Sequence, residues 1–113
     1  MKRDLGLFIE DISKSIDNIE NFIKGLDKER FTKDILIQSA VIRQLEIIGE
    51  AIKNIPLSFR EKYPQILWKD IAGLRDALSH SYFGVIIDRI WKIIKEDMPE
   101  LKKEIGKIQK SIK

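Results

Sequence analysis

The segment from Arg75 to Tyr82 is the densest run of side chains in the sequence that could take part in chemistry. His80 is the only histidine of the chain, and its side chain is the only one whose ordinary pKa lies near neutral pH. Arg75 and Asp76 precede it closely, and Tyr82 follows it by two residues. These residue types indicate proton transfer by His80 as the first hypothesis for this chain.

A helix through this segment would gather its polar side chains on one face. At about 100° per residue they fall within an arc of roughly 160°. The polar group consists of Arg75, Asp76, Ser79, His80 and Tyr82. The opposite arc consists of Ile71, Leu74, Ala77 and Leu78. One helical turn separates Asp76 from His80, so the carboxylate could orient the imidazole. The same pattern is also that of an ordinary solvated helix face, with Tyr82 packing at the helix end.

Other kinds of catalytic site find little support in the sequence. The chain has no cysteine, which excludes disulfides, thiolate metal sites and cysteine nucleophiles. A single histidine beside one carboxylate offers too few ligands for zinc within one chain. No glycine-rich phosphate loop is present, and a nucleophilic Ser79 or Ser81 would need partners that the sequence does not reveal. We therefore expect neither a metal nor a cofactor.

The elements around the motif have helical periodicity. Apolar residues recur at spacings of three and four from Leu5 to Ile23, which predicts an amphipathic helix that ends at Gly25. A second helix is predicted from about Thr32, as N-cap, to about Asn54. Apolar residues cover most of its circumference, which suggests burial on a second side by a partner subunit. Three charged residues inside it, Arg43, Glu46 and Glu50, could form an ion-pair ladder.

The second half of the chain continues this pattern. Ser58 to Glu61 has the spacing of a capping box and predicts a short helix that ends near Pro64. Another helix is expected to begin around Trp68, with Gly84 separating it from the next apolar stripe or bending it. Pro99 would open a last, lysine-rich helix. Because no hairpin signal is present, the predicted fold is all-α: an up-and-down bundle of four main helices with short additional ones.

Composition limits the kind of protein further. The length of 113 residues fits one domain, 1–113, and the net charge of +3 is compatible with a polyanionic partner without being diagnostic of one. No apolar run approaches the roughly 18 residues of a membrane span. Acidic residues such as Glu10 soon follow the N-terminus, which does not resemble a signal peptide. We therefore expect a cytoplasmic protein with no membrane partner.

Three blocks of the sequence resemble one known family. Arg75-x4-His80-x-Tyr82 matches the R-x4-H-x-Y signature of HepT-like toxins, within the HEPN superfamily of helical ribonucleases. Residues 40–51 resemble the R-x-L-E-x-I-G-E-A segment of that family, and residues 68–75 resemble its W-x-x-I-x-G-x-R lead-in. The blocks agree in order and spacing across essentially the whole chain, which makes the resemblance much more specific than a lone R-x4-H.

The resemblance implies a two-fold homodimer in which the R-x4-H motifs of both subunits face one cleft and cleave RNA without a metal. It also implies a cognate minimal nucleotidyltransferase antitoxin of the MntA type, which transfers AMP to the motif tyrosine, here Tyr82. Many relatives have Asn where this chain has Asp76, and an added carboxylate beside a phosphate could lower the rate or raise the pKa of His80.

These implications give each motif residue a hypothetical role. His80 would be the general acid or base, Arg75 would hold the phosphate oxygens and Asp76 would orient His80. Tyr82 would position the RNA. Two alternatives stay open: a non-catalytic helical partner that presents a substrate or its own tyrosine to a nucleotidyltransferase, and a dimeric scaffold whose polar face has no activity.

Overall fold

The computed structural model describes residues 2–66, 68–73 and 83–112, and their side chains except those of 2–4 and 83–86. The helices are α1 (Lys2–Phe22), α2 (Lys28–Lys33), α3 (Ile35–Lys53), α4 (Leu57–Arg60), α5 (68–73), α6 (Phe83–Lys92) and α7 (Met98–Ser111), with a π-helical turn, π1 (Ile93–Asp97), before α7. No strand occurs among the described residues, and the all-α prediction is confirmed. None of their helices is long and apolar enough to span a bilayer.

The packing of α1 along α3 forms the largest interface between described helices. The buried stripe of α1 is Ile9, Ile12, Ile16 and Ile19, at the three- and four-residue spacing of one helix face. The buried stripe of α3 is Val41, Leu45, Ile48 and Ile52. At the edge, Asn18 Nδ2 donates to Gln44 Oε1 at 3.2 Å. Helix α1 ends at Phe22, three residues before the predicted stop at Gly25, whose φ of 79° is left-handed.

The helix predicted from about Thr32 to about Asn54 corresponds to α3, which begins at Ile35 and ends at Lys53. A short helix that was not predicted, α2, precedes it, and the boundary between the two lies at Asp34. Its backbone is extended (φ −106°, ψ 92°), and its carboxylate accepts the Ile37 N–H at 3.0 Å. Thr32, predicted as the N-cap, instead lies in α2 and donates its hydroxyl to the Lys28 carbonyl. Gln38 Nε2 donates to the carbonyls of Phe31 and Thr32, both at 2.8 Å, and so satisfies the end of α2.

The capping box predicted at Ser58 does not form, because α4 begins at Leu57, directly after Pro56. Proline fixes φ near its helical value, here −57°, so it can begin a helix without a side-chain cap, and none is present. Ser58 therefore lies in the first turn instead of before it. The helix ends at Arg60, four residues before the predicted end near Pro64.

The chain from Phe83 to Ser111 is helical throughout, and the π turn occurs just before Pro99. Pro99, near the start of α7, has no N–H to give to the carbonyl four residues earlier, and its ring would clash with that carbonyl. Widening the turn to π geometry relieves this conflict. Pro99 thus opens the last helix as predicted, whereas Gly84 does not precede the next helix but lies inside α6.

Helices α2 and α7 join the remaining elements to the α1–α3 pair. Lys102 of α7 contacts Glu20 at 2.6 Å and Asp17 at 3.8 Å, both on α1. Phe31 of α2, fully buried, packs its ring 5.1 Å from that of Trp91 on α6. The bundle of four main helices stays a prediction, because residues 74–82 lie outside the described residues.

Two glycines should respond in opposite directions to alanine. Gly25→Ala places a Cβ at a left-handed φ and should lower the free energy of unfolding by about 1–2 kcal/mol. Gly106→Ala lies within α7, where nothing stands within 4 Å of the added Cβ, and should raise it by about 0.5–1 kcal/mol. Urea unfolding followed by circular dichroism measures both, and equal shifts in the same direction would contradict these helix assignments.

Candidate functional site

Arg75, Asp76, His80 and Tyr82, the residues predicted to act in catalysis and modification, lie outside the described residues. Their proposed helix face, with Ser79, lies there too. Their mutual distances and roles therefore stay predictions. The structure does describe the helices that flank the motif in the chain, α5 before it and α6 after it.

The start of α5 is held in place by Trp68, which is buried. Its indole Nε1–H is shared between the carbonyl oxygens of Arg60 and Tyr63, at 3.0 Å from each. Ile71 and Ala72 continue into the core on the same helix. Because the indole N–H has acceptors and the apolar side chains are buried, the start of α5, which precedes Arg75 in the chain, is held against the core. The predicted helix start around Trp68 is confirmed.

Helix α6, which follows the motif in the chain, is held in place by both apolar and charged contacts. Ile87 and Ile90 are buried, and Asp88 forms a salt bridge of 3.2 Å with Lys28 on α2. Lys95 Nζ lies 5.4 Å from the centre of the Trp91 ring, a cation–π distance. Exposed ion pairs contribute little, so the apolar contacts are the main restraint on α6.

A cavity of about 510 Å³ lies between α5, α6, π1 and α7. Its apolar lining comes from both sides of the motif: Ile66, Ile71, Ile93 and Leu101. Sequence reasoning did not find this site, because its lining residues are spread over some forty positions of the chain. The apolar periodicity of Ile71, Ile93 and Leu101 indicated only a packed helix face, and Ile66 is part of no predicted stripe.

Charged side chains surround the apolar part of the cavity. Apart from Glu104, which is buried, two are basic, Arg89 and Lys92 of α6, and three are acidic, Asp70, Asp97 and Glu100. All five are exposed, and none forms a salt bridge within the described part of the chain. The π turn carries Asp97, so the backbone change at Pro99 helps to set the shape of this rim.

One wall of the cavity is closed by a hydrogen-bonded pair. Gln65 Nε2 donates to Glu104 Oε2 at 2.7 Å, and Lys107 Nζ lies 3.4 Å from the other carboxylate oxygen. Glu104 is only 7% exposed. The Gln65 amide, with help from Lys107, outweighs burial and holds the pKa of the Glu104 carboxyl below its ordinary value.

The ion-pair ladder predicted on α3 is not found within the described residues. Arg43 is exposed, and no salt bridge joins it to Glu46 or Glu50. These three residues instead line a second cavity of about 250 Å³, together with Phe8 and Asp11 of α1. Their spacing places them on one side of α3, as expected.

The described elements define an all-helical protein in which two anchored helices flank an R-x4-H-x-Y segment. Residues 12–108 match the ribonuclease HepT-like family, and the chain therefore belongs to that family. The family resemblance of the three sequence blocks is confirmed.

Relatives agree over nearly the full length. A Methanocaldococcus jannaschii protein provisionally named an RNase is 50% identical over 111 residues, 98% of this chain and 96% of the relative. A probable ribonuclease HepT from Thermococcus cleftensis is 47% identical over 110 residues, 97% of this chain and 100% of the relative. No solved structure matches the chain.

The lowered pKa of Glu104 predicts a pH-dependent contribution to stability. Because the folded pKa lies below the ordinary value, the ionised carboxylate stabilises the protein above that value, and the contribution is lost as pH falls through the folded pKa. Glu104→Gln should reduce the loss of unfolding free energy between neutral pH and about pH 3. Urea unfolding at several pH values measures it.

The matched control is Glu100→Gln, an exposed carboxylate of the same cavity without a salt bridge among the described residues. It should keep the pH dependence of the wild type. A Glu104→Gln protein with an unchanged acid profile would show that the Gln65 contact does not stabilise the carboxylate.

Proposed function

We propose that this protein is a metal-independent endoribonuclease and the toxin of a toxin–antitoxin pair, acting as one helical domain, 1–113, in the cytoplasm. The observation that supports the proposal is the match of residues 12–108 to the ribonuclease HepT-like family, with Arg75-x4-His80-x-Tyr82 inside the matched range. The motif contains a group that can transfer protons near neutral pH and a fixed cation for a phosphate.

Cleavage uses the 2′-hydroxyl of the RNA as the nucleophile, so the attacking group is already positioned by the substrate. A base, His80, removes the 2′-hydroxyl proton while the 2′-oxygen attacks phosphorus and the bond to the 5′-oxygen breaks. Arg75 binds the non-bridging oxygens as charge builds up on them, and Asp76 orients the imidazole. The leaving 5′-oxygen takes up a proton, giving a 2′,3′-cyclic phosphate and a 5′-hydroxyl.

The reaction needs an acid as well as a base, and each chain supplies one histidine. A two-fold homodimer would supply the second. The outer side of α3 supports such a dimer, since Ile35 is 68% and Leu36 is 79% exposed although α3 is buried against α1 on its other side. Ala40, about one turn beyond Leu36, and Ile47, about two turns beyond Ala40, are half-buried. Exposed apolar side chains in a row are typical of a protein–protein interface.

Neutralisation by a minimal nucleotidyltransferase antitoxin follows from the same proposal. The Tyr82 hydroxyl attacks the α-phosphorus of ATP bound by the antitoxin and gives up its proton. The bond between the α-phosphorus and the bridging oxygen breaks, pyrophosphate leaves, and an AMP group remains on the tyrosine. The added group carries negative charge two residues from His80, where it opposes an incoming RNA phosphate by repulsion and by obstruction. Tyr82 would therefore position RNA in the free toxin and carry the inhibitory group in the silenced one.

Removing the proposed acid–base group should abolish cleavage of RNA. We expect His80→Ala and Arg75→Ala each to lower the rate at least about 100-fold, with the wild-type rate unchanged by EDTA. Gel assays of purified protein on labelled RNA, with mass analysis of the fragment ends, measure both effects. The matched control is Arg30→Ala, an exposed arginine of α2.

Two results would contradict this proposal. Loss of activity in EDTA, restored by a divalent cation, would overturn metal independence. Equal inactivity of wild type and His80→Ala, with AMP transfer to the protein still occurring, would identify a nucleotidyltransferase partner that is not itself a nuclease.

A charge on the outer face of α3 should disrupt the dimer. We expect the wild type to have twice the 13.2 kDa mass of one chain in light scattering and Leu36→Lys to shift towards one chain and lose cleavage. Leu57→Lys, on α4 and 62% exposed, is the matched control and should leave mass and activity unchanged. A wild type that is monomeric at concentrations where it cleaves RNA would contradict the dimer.

A further inference from the structure

We propose that the cavity between α5, α6, π1 and α7 binds one unpaired guanine nucleotide of the RNA substrate and so sets the base at a fixed distance from the cleaved bond. The inference rests on the proposed ribonuclease function and adds its base preference. The volume of about 510 Å³ falls within the roughly 300–1,000 Å³ of small-ligand sites, and four aliphatic residues line it.

The aliphatic lining suits the faces of a base. Ile66 and Ile71 come from one side of the motif, and Ile93 and Leu101 come from the other. A base that has left its stack loses contact on both faces, and a cleft with apolar walls can replace that contact. Such a site selects single-stranded or looped RNA, because a paired base cannot enter it.

The mixed charges favour a nucleotide over a simple anion or cation. Arg89 and Lys92 offer two cations without a salt bridge in the described part of the chain, as a phosphate requires. The carboxylates of Asp70, Asp97 and Glu100 would repel a bare phosphate, but they can accept hydrogen bonds from a base edge. A nucleotide carries both an anionic and a donor-bearing end, which matches this lining.

The carboxylates also indicate which base. An ionised carboxylate can only accept hydrogen bonds. The Watson–Crick edge of guanine presents two adjacent donors, N1–H and N2–H₂, which one carboxylate can accept together. Adenine and cytosine place an acceptor beside their amino donor, and uracil places its single donor between two acceptors, so each would set an acceptor against the carboxylate. The pocket therefore favours guanine.

The position of the cavity in the chain connects it to cleavage. Asp70 lies five residues before Arg75, and Arg89 lies seven residues after Tyr82. The two walls thus belong to the helical elements that lead into and out of the motif. An RNA strand whose scissile phosphodiester lies at the motif can place a neighbouring base in the cavity. The phosphate of that neighbouring nucleotide would then lie at Arg89 and Lys92.

The first test measures nucleotide binding by calorimetry and needs no cleavage. Guanosine 5′-monophosphate should bind the wild type about tenfold more tightly than inosine 5′-monophosphate, which lacks the N2 amino group, and more tightly than the adenosine, cytidine and uridine monophosphates. The double variant Asp70→Asn, Asp97→Asn should lose this preference, and Arg89→Gln should weaken all five nucleotides. Asp88→Asn, on α6 but outside the cavity lining, is the matched control.

The second test maps cleavage positions in a random-sequence RNA by sequencing. The wild type and Asp88→Asn should show guanine enriched at one fixed offset from the cut, and the cuts that the double variant still makes should lack this enrichment. Equal affinity for all five nucleotides, or cuts without any guanine offset, would overturn the pocket and leave the ribonuclease proposal intact. Selective guanosine monophosphate binding by a protein that cleaves no RNA would overturn the ribonuclease proposal and retain the guanine site.

Discussion

The packing of α1 against α3 is the constraint on which the rest of the structure depends. Two stripes of branched aliphatic side chains exclude water over most of the length of both helices, and burial of such side chains is worth roughly 1.5–3 kcal/mol each. Because α1 occupies one side of α3, the apolar residues Ile35 and Leu36 are left on another. Because α1 also contacts α7, it fixes one wall of the cavity that α5 and α6 complete.

Regular periodicity made α1 and the last helix predictable, while the short-range signals between helices were harder to interpret. Helix α2 contains a single apolar residue, Phe31, so apolar periodicity reveals neither this short helix nor its boundary with α3 at Asp34. Thr32 and Asp34 both have side chains that can cap a helix N-terminus, so residue type alone does not identify the N-cap. Asp34 is the N-cap because its backbone is extended. Gln38 of α3 stabilises this boundary by donating its side-chain amide to the Phe31 carbonyl at the end of α2.

The two parts of the candidate site differ in how far sequence can predict them. The motif residues are close in the chain, so local spacing and family resemblance were sufficient to select Arg75 and His80, whose geometry is still a prediction. The cavity joins residues from Gln65 to Glu104, and their proximity results from helix packing that no local pattern encodes. Pro99 predicted only the start of the last helix, and the π turn found just before it carries Ile93 and Asp97 into the lining.

The outer face of α3 and the cavity involve different elements, since no α3 residue is among the described residues of the cavity lining. Dimerisation through Leu36 would therefore leave the described cavity walls free to contact RNA. A single active centre could then combine two histidines, one from each chain, while each chain retains its own base pocket. The two subunits of such a dimer are equivalent by symmetry, so its single pair of motifs would have one base pocket on each side. An RNA strand could then bind in either of two equivalent orientations and be cut with the same base preference. The chemistry would depend on the pair of subunits, and the choice of base would depend on each subunit alone.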